Sequence, residues 1–70
     1  MKLSARNQLS GTVTNVELGA VMAEITVDVD GRQIVSAITR ASAERLGLAD
    51  GQPVTVFIKA TEVMLGVDDS

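Results

Sequence analysis

The chain has 70 residues, an apolar fraction of 46% and a net charge of −3, which fit one small globular domain rather than a disordered segment. It has no cysteine and no histidine, which excludes disulfides, thiolate zinc sites, cysteine nucleophiles and the commonest general base. The missing cysteine and histidine lead us to expect a protein that is not an enzyme. No apolar run could span a bilayer, and Arg6 interrupts the stretch where a secretory signal would need apolar residues. We therefore expect a soluble, cytoplasmic protein without a membrane partner.

The first half of the chain predicts three successive strands. Residues 9–16 form the first, in which Gly11 marks a bulge or a close backbone approach. A turn over 17–19 precedes a second strand over 20–29, whose strict alternation predicts one buried face. That face consists of Val21, Ala23, Ile25, Val27 and Val29. Asp30-Gly31 predicts a tight hairpin turn into a third strand over 33–39.

The second half begins with a change of period. Thr39 or Ser42 can cap a helix of one or two turns that Gly47 would end. After a turn at Asp50-Gly51, a fourth strand runs from Pro53 to Lys59, and residues 62–67 form a short fifth strand. Five strands with one short helix between the third and the fourth predict an all-β, OB-like five-stranded barrel that occupies residues 1–70 as a single domain.

Two matched pairs combine a hydroxyl residue with a cation two positions away. Ser4 and Arg6 lie in "SARN", and Lys59 and Thr61 lie in "IKAT". In extended chain, such pairs project from the same side, about 7 Å apart. A fixed positive charge beside neutral donors suits a small tetrahedral oxyanion. Solvated surface residues at strand ends would give the same pattern, and the residues alone leave both readings open.

A third segment, "GAVMAE", follows the first predicted strand. Its Gly19 precedes backbone amides that could form an anion nest, although a plain hairpin connection is the commoner meaning of such a turn. Met22 lies on the polar face of its strand, where subunit packing is a more common role than shielding a site.

Nearly the whole chain, from Met1 to Val67, resembles the molbindin or Mop family of molybdate-binding proteins, which are TOBE-like domains. The resemblance is carried by the segments "SARNQLSGTV", "GAVMAEITVDVDG" and "SAITRASAERLGLADGQPVTVFIKATEVMLG". It implies an OB-like barrel that assembles as a homohexamer, a trimer of dimers. It also implies molybdate or tungstate bound as an oxyanion between subunits, with no bare metal ion.

The resemblance also implies which residues contact the anion. One subunit would supply donors from its SARN and IKAT segments, and Thr39 would reach in across the interface. The implied set is Ser4, Ala5, Arg6, Thr39, Lys59 and Ala60. A second site in the family uses the turn written "GAVNAE", which maps onto Gly19, Ala20, Val21 and Met22. Met22 replaces the family's asparagine, which removes a polar side chain from that site.

Two other functions compete with oxyanion storage or buffering. The stretch "ITRASAERLGLADGQPVTV" resembles AbrB-type DNA-binding proteins, but its arginines are balanced by carboxylates and the chain is net negative, so we expect no nucleic-acid partner. A regulatory or docking module that senses the oxyanion is the other alternative. Selectivity against sulfate would depend on cavity size, which the sequence does not specify.

Overall fold

The structure is a computed structural model that describes residues 3–68. Its elements are β1 (Asn7–Leu18), β2 (Met22–Val29), β3 (Arg32–Thr39), α1 (Arg40–Leu46), β4 (Pro53–Ile58) and a 3-10 turn (Ala60–Glu62). The strands form one antiparallel sheet in the order β3-β2-β1-β4. No helix within residues 3–68 has the length and apolar character needed to cross a membrane.

The alternation of β2 builds the core. Its inward side chains are buried together with Val13 of β1 and Ala43 of α1, and the buried members of β2 are Ala23, Ile25, Val27 and Val29. The expectation that Val21 belongs to this face is wrong, because the strand begins one residue later and Val21 is 72% exposed in the preceding turn. Met22 lies on the outer face, as its register predicts.

The predicted turns at Asp30-Gly31 and Asp50-Gly51 and the predicted helix are confirmed, but the turn predicted over 17–19 is wrong, because β1 extends to Leu18 and the chain bends at Ala20 and Val21. Asp30 and Gly31 both have positive φ, of 51° and 83°, as a hairpin turn of this kind requires. Thr39 is the N-cap of α1, because its side-chain oxygen accepts a hydrogen bond from the Ser42 amide. Gly47 ends α1 in the left-handed conformation, at φ 64°.

Gly11 is a point of close approach rather than a bulge. A Cβ atom there would lie 2.6 Å from the carbonyl oxygen of Asp28 on β2. The irregularity in the β1–β2 pairing falls instead between Val13 and Asn15, where the register shifts. Only glycine therefore lets β1 and β2 approach this closely next to the core.

The predicted fifth strand is wrong for the described chain. The 3-10 turn at Ala60–Glu62 follows β4, and residues 63–68 have no regular secondary structure. The all-β class with one short helix is confirmed, but the sheet has four strands and is open between β3 and β4 within residues 3–68. Because the last apolar segment finds no partner strand in its own chain, the barrel stays unclosed.

Candidate oxyanion-binding site

Pairing of β1 with β4 brings the SARN and IKAT segments to one corner of the sheet. Asn7, the first residue of β1, is opposite Ile58, the last residue of β4. The Asn7 side chain reinforces this pairing, since its Nδ2 donates to the Ile58 carbonyl oxygen at 3.1 Å. Because the strands are antiparallel, Arg6, which directly precedes β1, lies next to Lys59, which directly follows β4. Segments 50 residues apart in sequence thus become neighbours through the sheet register.

The two cations at this corner lack carboxylate partners among the described residues. Arg6 and Lys59 are both exposed. Within residues 3–68, the ion pair that forms joins Arg40 to Glu44, which belong to α1. Two neighbouring positive charges without a counter-ion repel each other, and a dianion held between them would remove that repulsion.

The backbone at this corner also offers donors. Ala5 is half-buried. Its carbonyl oxygen accepts a hydrogen bond from Gln8 Nε2 at 3.1 Å, and this bond leaves the Ala5 N–H unused. Ala60 is the first residue of the 3-10 turn, where N–H groups have no partner within the turn. Ser4 is exposed beside them in the chain. Cations and neutral donors are therefore gathered here from two segments.

Thr61 does not repeat the relation between Ser4 and Arg6. Lys59 has extended backbone angles, at φ −64° and ψ 136°, but Thr61 lies inside the 3-10 turn. Residues two apart point in the same direction only in extended chain. The prediction that Lys59 and Thr61 form an extended pair like Ser4 and Arg6 is therefore wrong.

Thr39 lies at the diagonally opposite corner of the sheet. It pairs with Met22 on β2, near the end of β1 at Leu18, whereas SARN lies at the start of β1. The 12 residues of β1 would span roughly 35 Å as an extended strand. A single copy therefore does not bring Thr39 to Arg6 and Lys59, and any contribution from Thr39 to that site has to come from another copy.

Within one chain, Thr39 lies instead beside the turn of the second predicted site. An open depression of about 470 Å³ separates this turn from the start of α1, and it is lined by Ala20, Val21, Thr39, Arg40, Ala41 and Glu44. The Gly19 N–H is not available as an anion donor, because it donates to the Met22 carbonyl at 2.8 Å. Met22 is 48% exposed and does not line the depression.

Arg40 is the residue at this turn that sequence reasoning missed. Its Nη1 donates to the Gly19 carbonyl at 3.3 Å, its backbone N–H donates to Val21 at 2.8 Å, and its Nε contacts Glu44 at 3.0 Å. The guanidinium thus fastens the turn to α1, while Glu44 compensates its charge. The available signal was the position of Arg40 directly after the Thr39 cap, with Glu44 four residues later.

Comparison with known proteins places these observations in a family. The model of the TOBE domain matches residues 3–65. A probable molybdenum-pterin-binding protein of Haemophilus influenzae is 42% identical over 69 residues, which cover 97% of this chain and 100% of that protein.

Two solved structures resemble the fold closely. A molybdate-binding protein from Sporomusa ovata has a TM-score of 0.91 at 43% identity, with 96% of this chain and 100% of that chain covered. The cytoplasmic molybdate-binding protein ModG, in a crystal form with molybdate bound, has a TM-score of 0.90 at 45% identity. The match covers 97% of this chain and 49% of the ModG chain.

Proposed function

The chain belongs to the TOBE domain family, in its molybdenum-pterin-binding or Mop group, and from this premise we propose that it binds molybdate as an intact oxyanion. The observation that carries the proposal is the β1–β4 register, which puts Arg6 and Lys59 at one corner without carboxylate partners in the described chain. A dianion is the ligand that such a corner favours.

The donor set matches the chemistry of a tetrahedral oxyanion. Arg6 contributes a planar fork of N–H donors and Lys59 a compact ammonium group, so positive charge approaches the anion from two segments. Ser4 supplies a hydroxyl donor, and the Ala5 and Ala60 amides supply backbone donors. Tungstate has the same charge and shape as molybdate, so we propose that it binds as well. Sulfate is smaller and should fit this corner less closely.

We further propose that the complete site lies between copies of the chain. Arg6 and Lys59 are exposed at one corner of the sheet, and Thr39 lies at the other. A homo-oligomer would bring the Thr39 corner of one copy to the Arg6 corner of the next, and the hexamer implied by the family resemblance is one such arrangement. We keep the turn at Gly19–Val21 as a second, weaker anion site under this proposal; it would depend on the Ala20 and Val21 amides, because the Gly19 N–H is already bonded and Glu44 compensates the charge of Arg40.

The proposed role is reversible storage or buffering of molybdate in the cytoplasm, without chemical conversion of the anion. The similarity to ModG, described as a cytoplasmic molybdate-binding protein, supports this compartment. Nucleic acid is not a partner under this proposal, because the chain carries a net charge of −3 and its two outer-face glutamates, Glu17 and Glu24, lie directly opposite each other. Phosphate backbones are attracted by basic surfaces rather than by such a face.

The test is a calorimetric titration combined with native mass spectrometry. Molybdate and tungstate should bind strongly and sulfate weakly, and a random DNA duplex at low salt should not bind. Native mass spectra should show an oligomer larger than a dimer that gains a fixed number of oxyanions. Equal affinity for sulfate and molybdate would refute a size-selective site, and tight DNA binding would favour the AbrB-like function instead.

A further inference from the structure

Arg40 holds the turn between β1 and β2 from the start of α1. Its Nη1 donates to the Gly19 carbonyl oxygen at 3.3 Å, and its backbone N–H donates to the Val21 carbonyl oxygen at 2.8 Å. Its Nε donates to Glu44 at 3.0 Å, which holds the guanidinium in place. The side chain of one half-buried arginine thus acts on a backbone segment about 20 residues earlier in the chain.

The contact with Gly19 determines where the next amide points. All peptide bonds in the described chain are trans. In a planar trans peptide, the carbonyl oxygen and the N–H of the following residue point in opposite directions. Because the Gly19 carbonyl is directed at Arg40, the Ala20 N–H is directed away from Arg40, toward the other side of the turn.

The amides on that side have no partner within residues 3–68. Neither the Ala20 N–H nor the Val21 N–H donates a hydrogen bond there, whereas the Gly19 N–H donates to the Met22 carbonyl. Ala20 and Val21 are both exposed, so their N–H groups are open to water or to an anion. Met22 has no side-chain N–H or O–H to add, and an anion at this turn therefore depends on backbone donors.

The guanidinium itself is poorly placed to bind that anion. It lies on the carbonyl side of the Gly19–Ala20 peptide, and Glu44 already compensates its charge. An oxyanion in the depression beside Arg40 would have to displace Glu44 and then lie next to its carboxylate, which repels a dianion twice as strongly as it repels a monoanion. The Ala20 side of the turn is free of both obstacles.

We propose that Arg40 is the positioning residue of this turn: it holds the Gly19–Ala20 peptide so that the Ala20 N–H faces the anion, without contacting the anion itself. The inference rests on the second anion site proposed above and concerns how that site is kept in shape. Without Arg40 the peptide plane can flip, because glycine at position 19 offers little resistance to a change of backbone angle. A flip would turn the Ala20 N–H toward α1 and present a carbonyl oxygen, which repels an anion.

Amide NMR spectra of the labelled protein test this role, since they report the turn separately from the SARN and IKAT corner. Molybdate should shift the Ala20 and Val21 amide resonances of the natural chain in a weaker step than the one that shifts Arg6. Arg40→Ala should weaken the turn step about threefold to tenfold, the range expected when a fixed donor becomes mobile. It should leave the corner step within about twofold.

Arg45→Ala is the matched control, because Arg45 is an exposed arginine at the far end of α1. It removes the same charge and should leave both steps unchanged. Arg40→Lys keeps one long donor that can reach the Gly19 carbonyl, and it should restore most of the turn step. A melting curve of each ligand-free variant shows whether it is folded at the temperature of the titration.

Glu44→Gln separates positioning from direct binding by charge. Glutamine still offers an oxygen to Arg40 Nε, so the guanidinium should stay in place while its charge is no longer compensated. Positioning predicts that Glu44→Gln changes the turn step no more than Glu24→Gln, which removes an exposed carboxylate from the outer face of β2. A clear gain of turn affinity in Glu44→Gln alone would show that the guanidinium binds the anion, and would overturn the proposal.

The turn and the corner fail separately in these titrations. Loss of the Arg6 step from the natural chain would refute the proposed corner site, whatever the Ala20 amide does. An Ala20 amide that ignores a large excess of molybdate, or that responds equally in the natural chain and in Arg40→Ala, would refute the positioning role even if the corner binds. The contact itself is tested without anion, because Arg40→Ala should move the Gly19 carbonyl carbon resonance and Arg45→Ala should not; an unmoved resonance would also overturn the proposal.

Discussion

Arg6 and Lys59 determine what the proposed site can bind. Removal of either cation should weaken molybdate binding about tenfold to a hundredfold, because a charge-assisted hydrogen bond contributes roughly 1.5–3 kcal/mol. Calorimetric titration of Arg6→Ala and Lys59→Ala measures this loss. Stability of the ligand-free protein should change little in both variants, since each substitution also removes the repulsion between two neighbouring cations.

Arg45→Ala is the matched control for these substitutions. Arg45 is an exposed arginine in the last turn of α1, so its removal changes the net charge equally without touching the SARN and IKAT corner. The Arg6→Ala/Lys59→Ala double variant should lose less affinity than the two single losses added together, because both groups share one ligand. If Arg6→Ala and Lys59→Ala bind molybdate as tightly as Arg45→Ala does, the assignment of the site to this corner is wrong.

Gly11 shows how one residue controls the approach of two strands. Gly11→Ala should lower the free energy of unfolding by about 1–3 kcal/mol, since the new Cβ would meet the Asp28 carbonyl and the side chains of Val27 and Val29. Urea denaturation measures the effect. Ser10→Ala, at the adjacent exposed position of β1, should be nearly neutral. Equal stability of the two variants would mean that β1 can shift away from β2 without cost.

Sequence reasoning assigned residue types better than it assigned neighbours. It singled out Arg6 and Lys59 from their spacing to a hydroxyl, but the register that joins Asn7 to Ile58 is a property of the folded sheet. The prediction that Thr39 contacts the same anion as the SARN segment came only from the family resemblance. Within a single chain, Thr39 lies beside Arg40 instead. A residue at a strand end contacts whatever the topology brings there, and local pattern carries no information on that.

At the scale of elements, α1 depends on a cap that also belongs to the proposed site. The Thr39 hydroxyl accepts from the Ser42 amide at 3.1 Å and donates to the Ser42 hydroxyl at 2.8 Å. Thr39→Ala should therefore lower the free energy of unfolding by about 0.5–2 kcal/mol in the absence of molybdate. Chemical denaturation of the ligand-free protein measures this change.

Thr39→Ser separates the cap from the anion. Serine keeps the hydroxyl, so this variant should retain both the stability and the affinity of the natural chain. Thr39→Ala should lose stability by the loss of the cap, and it should also lose affinity if the hydroxyl turns its single proton from Ser42 Oγ to an anion held by a second copy. A Thr39→Ala protein as stable as the natural one would show that Ser42 or water replaces the cap.

The pairing of β1 with β2 contains an unfavourable contact. Glu17 and Glu24 are directly opposite each other, and both are exposed. Like charges at such positions destabilise a sheet, while opposite charges stabilise it by roughly 0.2–1 kcal/mol. Glu17→Lys should therefore raise the melting temperature, and Glu17→Gln should raise it by less. The difference in melting temperature between these variants should shrink in high salt, where exposed charges are screened. A Glu17→Lys variant no more stable than Glu17→Gln at low salt would contradict the pairing.

The elements that the sequence predicts correctly are those with complete local signals. Alternation from Ala23 to Val29 and the Asp30-Gly31 turn predict a hairpin in which the partner strand β3 is the next segment of the chain, and Gly47 ends α1 by its own conformation. The segment over 62–67 also has strand character, but an isolated strand cannot form without hydrogen-bonding partners. Its apolar residues therefore reveal a need for burial, and the structure of one chain does not meet that need.

At the scale of the whole molecule, an acidic protein holds an anion because charge is distributed unevenly. The chain has a net charge of −3, yet its SARN and IKAT corner carries two cations and no carboxylate partner among residues 3–68. Three glutamates lie elsewhere, at Glu17 and Glu24 on the outer face and at Glu44 beside Arg40. The fourth, Glu62, lies in the 3-10 turn that follows Lys59, and it forms no ion pair within residues 3–68. Local donors at short range outweigh the more distant negative charges, which salt screens.

Molybdate should stabilise the assembled protein as a whole. A ligand that binds only the folded state raises the free energy of unfolding by about 2.7 kcal/mol when its free concentration is 100 times Kd. Calorimetric melting should therefore show a melting temperature that rises with molybdate, and one that rises with protein concentration when no ligand is present, as expected for an assembly. Sulfate at equal ionic strength is the control and should shift the melting temperature much less. Arg6→Ala should lose most of the molybdate effect but keep the dependence on protein concentration.

Equal shifts with sulfate and molybdate would mean that the stabilisation is a general effect of anions. A melting temperature independent of protein concentration would mean that the folded unit is the single chain.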